Sequence, residues 1–325
     1  MVGAFQDLFS SVPLDEDTDR YQYETNRYQR DYIMITKHYT VGSASITKVT
    51  EKLFDDFAPN ALLPLWDDTQ ITDQRHWLIP EHLDAYAQKL VISVHTWVIK
   101  TGNYTVLVDT GVGNAKPRSE LPIFHELDEP WLERLEAAGV KPEDVDYVLL
   151  THLHIDHIGW NTHWVDGQWV PTFPNAKYVF PKAEYDYFLS ETGRQTIGYS
   201  AFVDSVMPVI ASGQAMMIEP EGGAFLDEFY FHPTPGHSVG HMSISIKSGD
   251  DVAMFGGDVM HHPIQVGHPN WASCFCDLPE AANRSRQWML GFLADHNALY
   301  FSSHFAGSSA GRVQHSTSGY AWHFE

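Results

Sequence analysis

Apolar residues along this chain recur mostly with the two-residue period of β-strands. "SASITKVT" (residues 43–50) alternates, and "LVISVHTWVIK" and "YTVLVDTGVG" are β-rich runs joined by Thr101, Gly102 and Asn103, a hairpin signal. "VDYVLLTH" reads as a buried strand, and "AKYVFPKAEYDYFL" as a strand followed by a helix that Pro181 opens. Farther on, "EFYFHPTPGH", "HMSISIKSG" and "DVAMFGGDVMH" repeat one theme, a strand ending in a polar or metal-type residue, and "ALYFSSHF" reads as the final strand. The helical period marks "DEPWLERLEAAGV", capped by Asp128 or a neighbour and ended by Gly139, and "NRSRQWMLGFLADHN". Residues 54–77 mix Pro, Asp and large aromatics without a clean period and suit a loop-rich segment.

Strands thus recur in both halves, interleaved with helices. That pattern predicts an α/β protein in which two β-sheets pack face to face with helices outside. Potential ligands stand where strands stop, so a site is expected at one edge of the sheets. The first forty residues are polar, acidic and tyrosine-rich without a steady period. We read residues 1–42 as an N-terminal arm, suited to pairing with another subunit in a homodimer, and residues 43–325 as a single domain.

Composition narrows the function. The formal charge of −22 makes nucleic-acid and anionic-membrane partners poor fits, because such a surface repels phosphate. Cys274 and Cys276 are too close in sequence for an unstrained bridge and are expected as thiols. The chain shows no membrane-spanning apolar run and no basic segment followed by an apolar core at its start, so a cytoplasmic location is expected. Histidine is unusually frequent, at 19 residues.

Those histidines concentrate. "THLHIDHIGW" places His152, His154, Asp156 and His157 within six residues. If the strand continues, alternation points His152, His154 and Asp156 to one side, and His157 joins them only where the backbone turns, as Gly159 permits. So many lone pairs so close together call for a divalent cation. Three more candidates follow strands: His237 in "TPGHSVGH", Asp258 in "FGGDVMH" and His304 in "YFSSHF".

The order "LVDTG", "HLHIDH", "TPGHSVGH", "GGDV", "SSHF" resembles the metallo-β-lactamase superfamily from about Ser43 onward. The resemblance implies an αββα sandwich and two divalent metal ions, zinc by the His/Asp set, with Mn, Fe and Co also tolerated. One ion would take His152, His154 and His237 and the other Asp156, His157 and His304, with Asp258 bridging. A hydroxide shared by the metals would attack, with Asp156 passing a proton to the leaving group. Asp109 of "LVDTG" would support the ligand loop, and His241 and His262 are candidates for the same duty. Tyr199 is a candidate donor to the substrate oxygen. Ser238 beside His237 reads as loop structure.

Within the superfamily, Asp at 258 and His at 154 set aside the branches that carry Cys or Glu there, and the acidic surface sets aside nucleases. "DVMHHPIQV", "NWASCFCDLPEAANRSRQWML" and "SSHFAGSSAGRV" are similar to the subgroup of quorum-sensing lactonases and methyl parathion hydrolase. This implies a lactonase or esterase acting on a small-molecule ester or lactone. Phosphotriesterase activity on an organophosphate is the alternative, and a non-catalytic metal-binding protein a further one. Trp66, Trp77, Trp160, Trp164 and Trp169 are candidates to wall an apolar pocket.

Overall fold

The computed structural model describes residues 37–84 and 88–325. Two seven-stranded sheets form its centre. The first runs β1 (His38–Val41), β2 (Ala44–Phe57), β3 (Leu90–Lys100), β4 (Thr105–Val108), β5 (Tyr147–Leu149), β8 (Lys177–Pro181) and β9 (Ala215–Ile218). The second runs in sequence order from β10 (Gly223–Phe225) through β11 (Phe229–Pro233), β12 (Met242–Ser248), β13 (Asp251–Phe255) and β14 (Leu299–Phe301) to β15 (Ala310–Ser316) and β16 (Gly319–Phe324). A separate hairpin joins β6 (Thr162–Val165) to β7 (Gln168–Pro171).

The side-chain period of each strand splits it between two cores. Trp97 and Ile99 of β3, Val106 and Val108 of β4, and Leu149 of β5 face inward and meet Ile244, Ile246, Phe255 and Phe301 of the second sheet. Their neighbours Val98, Leu107 and Val148 face outward onto helices Trp131–Ala137, Lys182–Leu189 and Tyr199–Ser205. On the far side, Met254 and Tyr300 face outward onto Met289, Leu290 and Leu293 of helix Pro279–His296. These layers are helix, sheet, sheet, helix, the αββα sandwich expected. Burying each large apolar side chain contributes about 1.5–3 kcal/mol, so this double-faced strand pattern dominates the fold's stability.

Several local readings change. The sheet begins at His38, so the last residues assigned to the arm are an edge strand paired with β2; residues 1–36 lie outside the described residues. "ALYFSSHF" is not the final strand, since β15 and β16 extend the sheet beyond it. Helix Trp131–Ala137 has no side-chain cap, and Asn114 instead accepts from the Glu129 N–H, while Gly139 (φ +77°) ends the turn as expected. Strand β2 runs on to Phe57 through a bulge, so the loop-rich segment begins later than its composition suggested. Both cysteines are free thiols. Among the described residues no helix is long and apolar enough to cross a membrane.

Strand direction positions the site. β4 and β5 are parallel, and β11, β13 and β14 point one way, because β11 and β13 flank antiparallel β12 and β14 is parallel to β13. Their C-terminal ends therefore release Asp109, the His152–His157 segment, His237, Asp258 and His304 at related edges. The sheets are tied together there by Met242 N–H donating to Thr151 O (2.9 Å) and Ser93 N–H donating to His304 O (2.9 Å).

Candidate metal centre

Strand β5 stops at Leu149, so the histidine motif is not a strand extension. Residues 151–158 turn instead, with His157 N–H donating to His154 O at 3.1 Å, and this turn lets adjacent Asp156 and His157 face one site. Asp109 anchors it. Its carboxylate accepts from Thr151 N–H (2.9 Å) and Thr151 Oγ1 (2.9 Å) and holds His157 Nδ1 at 2.8 Å. That contact fixes the proton on Nδ1 and leaves Nε2 free as a ligand. Asp109 sits at φ +55°, a left-handed conformation that Asp tolerates better than most residues.

All seven residues predicted as ligands converge. The donor sets His152/His154/His237, His152/His157/Asp258 and Asp156/His157/His304 each bring one atom per residue within 4.8 Å of the others. His154 Nδ1 and His237 Nε2 are 2.8 Å apart. Asp258 lies between the two sets, its oxygens divided. Oδ2 is 3.1 Å from His237 Nε2 and 3.9 Å from His152 Nε2, while Oδ1 is 3.2 Å from His157 Nε2 and 3.0 Å from His304 Nε2. His304 also reaches Oδ2, at 3.2 Å. Asp156 completes the second set, 3.7 Å from both His157 and His304. It is also part-exposed, which puts it at the mouth.

A cation fits this arrangement on the hydrogen-bond account alone. His152 Nε2, His157 Nε2 and Asp258 Oδ1 are buried and have no hydrogen-bond partner among the described residues. Leaving such groups unsatisfied costs about 1–3 kcal/mol each, and divalent cations held here would satisfy all three. Electrostatics agree. Burial opposes charge on Asp258, but His157, His304, His237 and His261 together hold its carboxyl well below the usual range. Burial likewise opposes charge on His157, yet Asp258, Asp109 and Asp156 raise it well above an ordinary histidine. A cation would take over that balancing of the buried carboxylate.

The supporting histidines sort themselves by their bonds. His241 lies beneath Asp258: its Nε2 accepts from the Asp258 N–H at 2.9 Å and its Nδ1 meets Thr234 Oγ1 at 2.9 Å. Burial keeps it neutral, pushing its pKa down to about 3. The backbone there needs Gly257 (φ +54°), where a Cβ would come 2.5 Å from His241 Nε2. His262 does not join the centre. Its Nε2 meets His82 O (3.1 Å), and its Nδ1 accepts from the Ile264 N–H (3.3 Å), capping the 3-10 turn Pro263–Val266. In its place the neighbouring His261 reaches Asp258, Nε2 to Oδ2 at 3.2 Å. Nothing in "MHH" distinguishes the two histidines; the turn decides which one points inward.

Other candidates disperse. Tyr199 stacks on Phe202 (6.1 Å between rings) and makes no hydrogen bond to the cluster. Trp66 packs on Trp271, Trp77 on Phe324, and Trp160 on Trp131, while Trp164 and Trp169 pair on the β6–β7 hairpin with Trp164 exposed. They do not share one wall, since spacing in sequence gave them no common direction. Ser238 is buried loop structure without a hydrogen-bond partner for its Oγ among the described residues.

Glu51, unmarked in the sequence, braces the site from β2. Its carboxylate accepts from Val112 N–H (2.6 Å), Gly113 N–H (2.9 Å) and Trp160 Nε1 (2.7 Å), tying the loop after Asp109 to the loop after His157. Burial outweighs these donors and pushes its pKa up to about 7. A carboxyl raised in the folded state binds more protons there than in the unfolded chain. Its contribution is therefore full below the unfolded value and is lost as pH rises through about 7. We expect the parent to lose stability relative to Glu51→Gln as pH rises from about 5 to 8, in paired denaturation curves. A difference independent of pH would contradict the shift.

Residues 91–304 match the family described as Metallo-beta-lactamase superfamily. The chain is 26% identical over 177 residues to an N-acyl homoserine lactonase of Bacillus cereus, covering 49% of this chain and 60% of that protein. It is 28% identical over 125 residues to N-acyl homoserine lactonase AttM of Agrobacterium fabrum, 37% of this chain and 43% of that one. The matches thus cover less than two thirds of these relatives' length. Among solved structures, the dizinc quorum-quenching lactonase AidC aligns with TM-score 0.73 at 22% identity over 89% of this chain and 97% of that one. The hydrolase AbOPH aligns with TM-score 0.74 at 23% identity, over 89% and 98%. Sandwich, strand-end cluster and family match agree: this chain belongs to the metallo-β-lactamase superfamily.

Proposed function

We propose that the chain is a dinuclear metal-dependent hydrolase that opens lactones and cleaves carboxylic esters, N-acyl homoserine lactones being the leading substrate class. The observation that carries this reading is the division of Asp258 between two donor sets, one oxygen toward His237 and His152 and the other toward His157 and His304. Relatives named as N-acyl homoserine lactonases support the choice of substrate.

His152, His154 and His237 would hold one divalent cation, Asp156, His157 and His304 the other, and Asp258 both; zinc suits these donors. Such a pair, when bound, activates a water near neutral pH and polarises the acyl oxygen. The protein's own residues do the rest. Asp109 holds His157 in the ligating tautomer, and His241 holds the Asp258 backbone in place. Asp156, part-exposed at the mouth, takes the water's proton and returns it to the leaving alkoxide. The charge of −22 suits a neutral substrate and favours release of the anionic product acid.

The test is turnover of an acyl homoserine lactone, an aryl ester and a neutral aryl phosphotriester by protein loaded with defined metals. The reading expects the lactone to give the highest kcat/KM. A higher value on the triester would move the assignment to phosphotriesterase, and no turnover of any would remove hydrolysis altogether and leave a binding protein.

A further inference from the structure

We propose that His261 is an eighth donor of the metal centre, ligating the cation on the His152/His154/His237 side. The inference rests on the two-cation reading above. Hydrogen-bond accounting among the three further histidines close to Asp258 in sequence or space, outside the seven proposed ligands, carries it. His241 and His262 each have both ring nitrogens engaged by protein groups. His261 has neither. Its Nδ1 and Nε2 are buried without a hydrogen-bond partner among the described residues, and the residue is only 3% exposed.

An imidazole buried that completely is almost always bonded, so the orphaned nitrogens need a reason. Nε2 shares its condition with His152 Nε2 and His157 Nε2, two proposed ligand atoms. It is also as near the bridging carboxylate as they are, 3.2 Å from Asp258 Oδ2 against 3.9 Å for His152, yet off the line of a hydrogen bond. Two donors bound side by side on one small cation stand about 3 Å apart, given metal–ligand bonds of about 2.0–2.2 Å. His237, Asp258 and His261 form such a group, within 4.8 Å of one another. His237 is the histidine that shares this group with His261 and Asp258, and its Nε2 is 3.1 Å from Oδ2, so the group assigns His261 to the cation of His152, His154 and His237.

The ring is held in this pose by packing. It stacks on His304 at 5.4 Å and 13° and leans on Phe275 at 6.0 Å. With His261, the first cation has five protein donors and the second has four. The added ligand makes the centre unsymmetrical, so the two ions should differ in affinity and in spectrum.

The experiment compares the full chain with His261→Phe, which keeps the ring and its packing, and His261→Gln, which keeps polarity if the first variant folds poorly. Each is loaded with cobalt(II), and metal content, chelator competition and the visible absorption of the bound cobalt are read. We expect both variants to hold one cation as the parent does and the other at least about tenfold more weakly. We also expect the visible bands of His261→Phe to intensify, as cobalt absorption does when the number of donors around the ion falls. A residue that merely packed beside the centre would lower affinity without that spectral change. Unchanged bands in a folded variant, or unchanged affinities, would overturn the assignment. A parent chain that binds no cobalt would overturn both this inference and the dinuclear reading, whereas two tightly held cations in parent and variants alike would overturn this inference only.

Discussion

Asp258→Ala is expected to lose one of the two cations and more than about a hundredfold in kcat, because even residues one bond removed from a metal typically cost 10–100-fold. Among the described residues, its carboxylate is the one that reaches histidines of both donor sets. Asp156 approaches only His157 and His304, at 3.7 Å each. The fold should survive, since the Asp258 N–H that His241 accepts belongs to the backbone and remains. Metal analysis beside a turnover assay checks the prediction. A variant that kept both cations and most of its kcat would remove Asp258 from the bridge.

Changes at Asp109 should separate stability from metal binding. Asp109→Ala strips the acceptor from Thr151 N–H, Thr151 Oγ1 and His157 Nδ1, all buried, at about 1–3 kcal/mol each if nothing replaces it. It also places Ala at φ +55°. We expect a lower melting temperature together with a metal affinity reduced about 10–100-fold. Asp109→Asn behaves differently. Asn tolerates the left-handed backbone, and its oxygen can still accept from Thr151. Its NH2, however, would donate to His157 Nδ1 and drive the ring proton onto Nε2, the atom meant for the metal. Asp109→Asn should therefore recover most of the stability while leaving metal binding weak, as melting curves taken with and without metal would show. Equal recovery of both would mean that Asp109 acts only as a structural acceptor.

Much of this site was legible in the sequence. Strands alternate visibly, and a strand's end is where its last polar residue is released toward an edge, so His237, Asp258 and His304 could be paired with the histidine motif. Asp109 was legible only through the resemblance, since nothing in "LVDTG" alone says that its carboxylate reaches a ring 48 residues later. What stayed hidden depends on direction. His261 and His262 are adjacent, and the turn ahead of Pro263 sends one to Asp258 and the other to His82. Glu51 lies among ordinary alternating residues of β2, and its three bonds are all to distant loops. Tyr199 and the tryptophans were chosen by residue type, and residue type does not fix which core a side chain enters.

In the proposed mechanism both cations are needed and Asp258 joins them. Its most direct test is a titration of the metal-stripped chain with zinc, following lactone hydrolysis and bound metal together. Activity is expected to climb to a plateau at about two equivalents per chain, with little turnover at one. Full activity at one equivalent, or hydrolysis that persists in excess chelator, would contradict it.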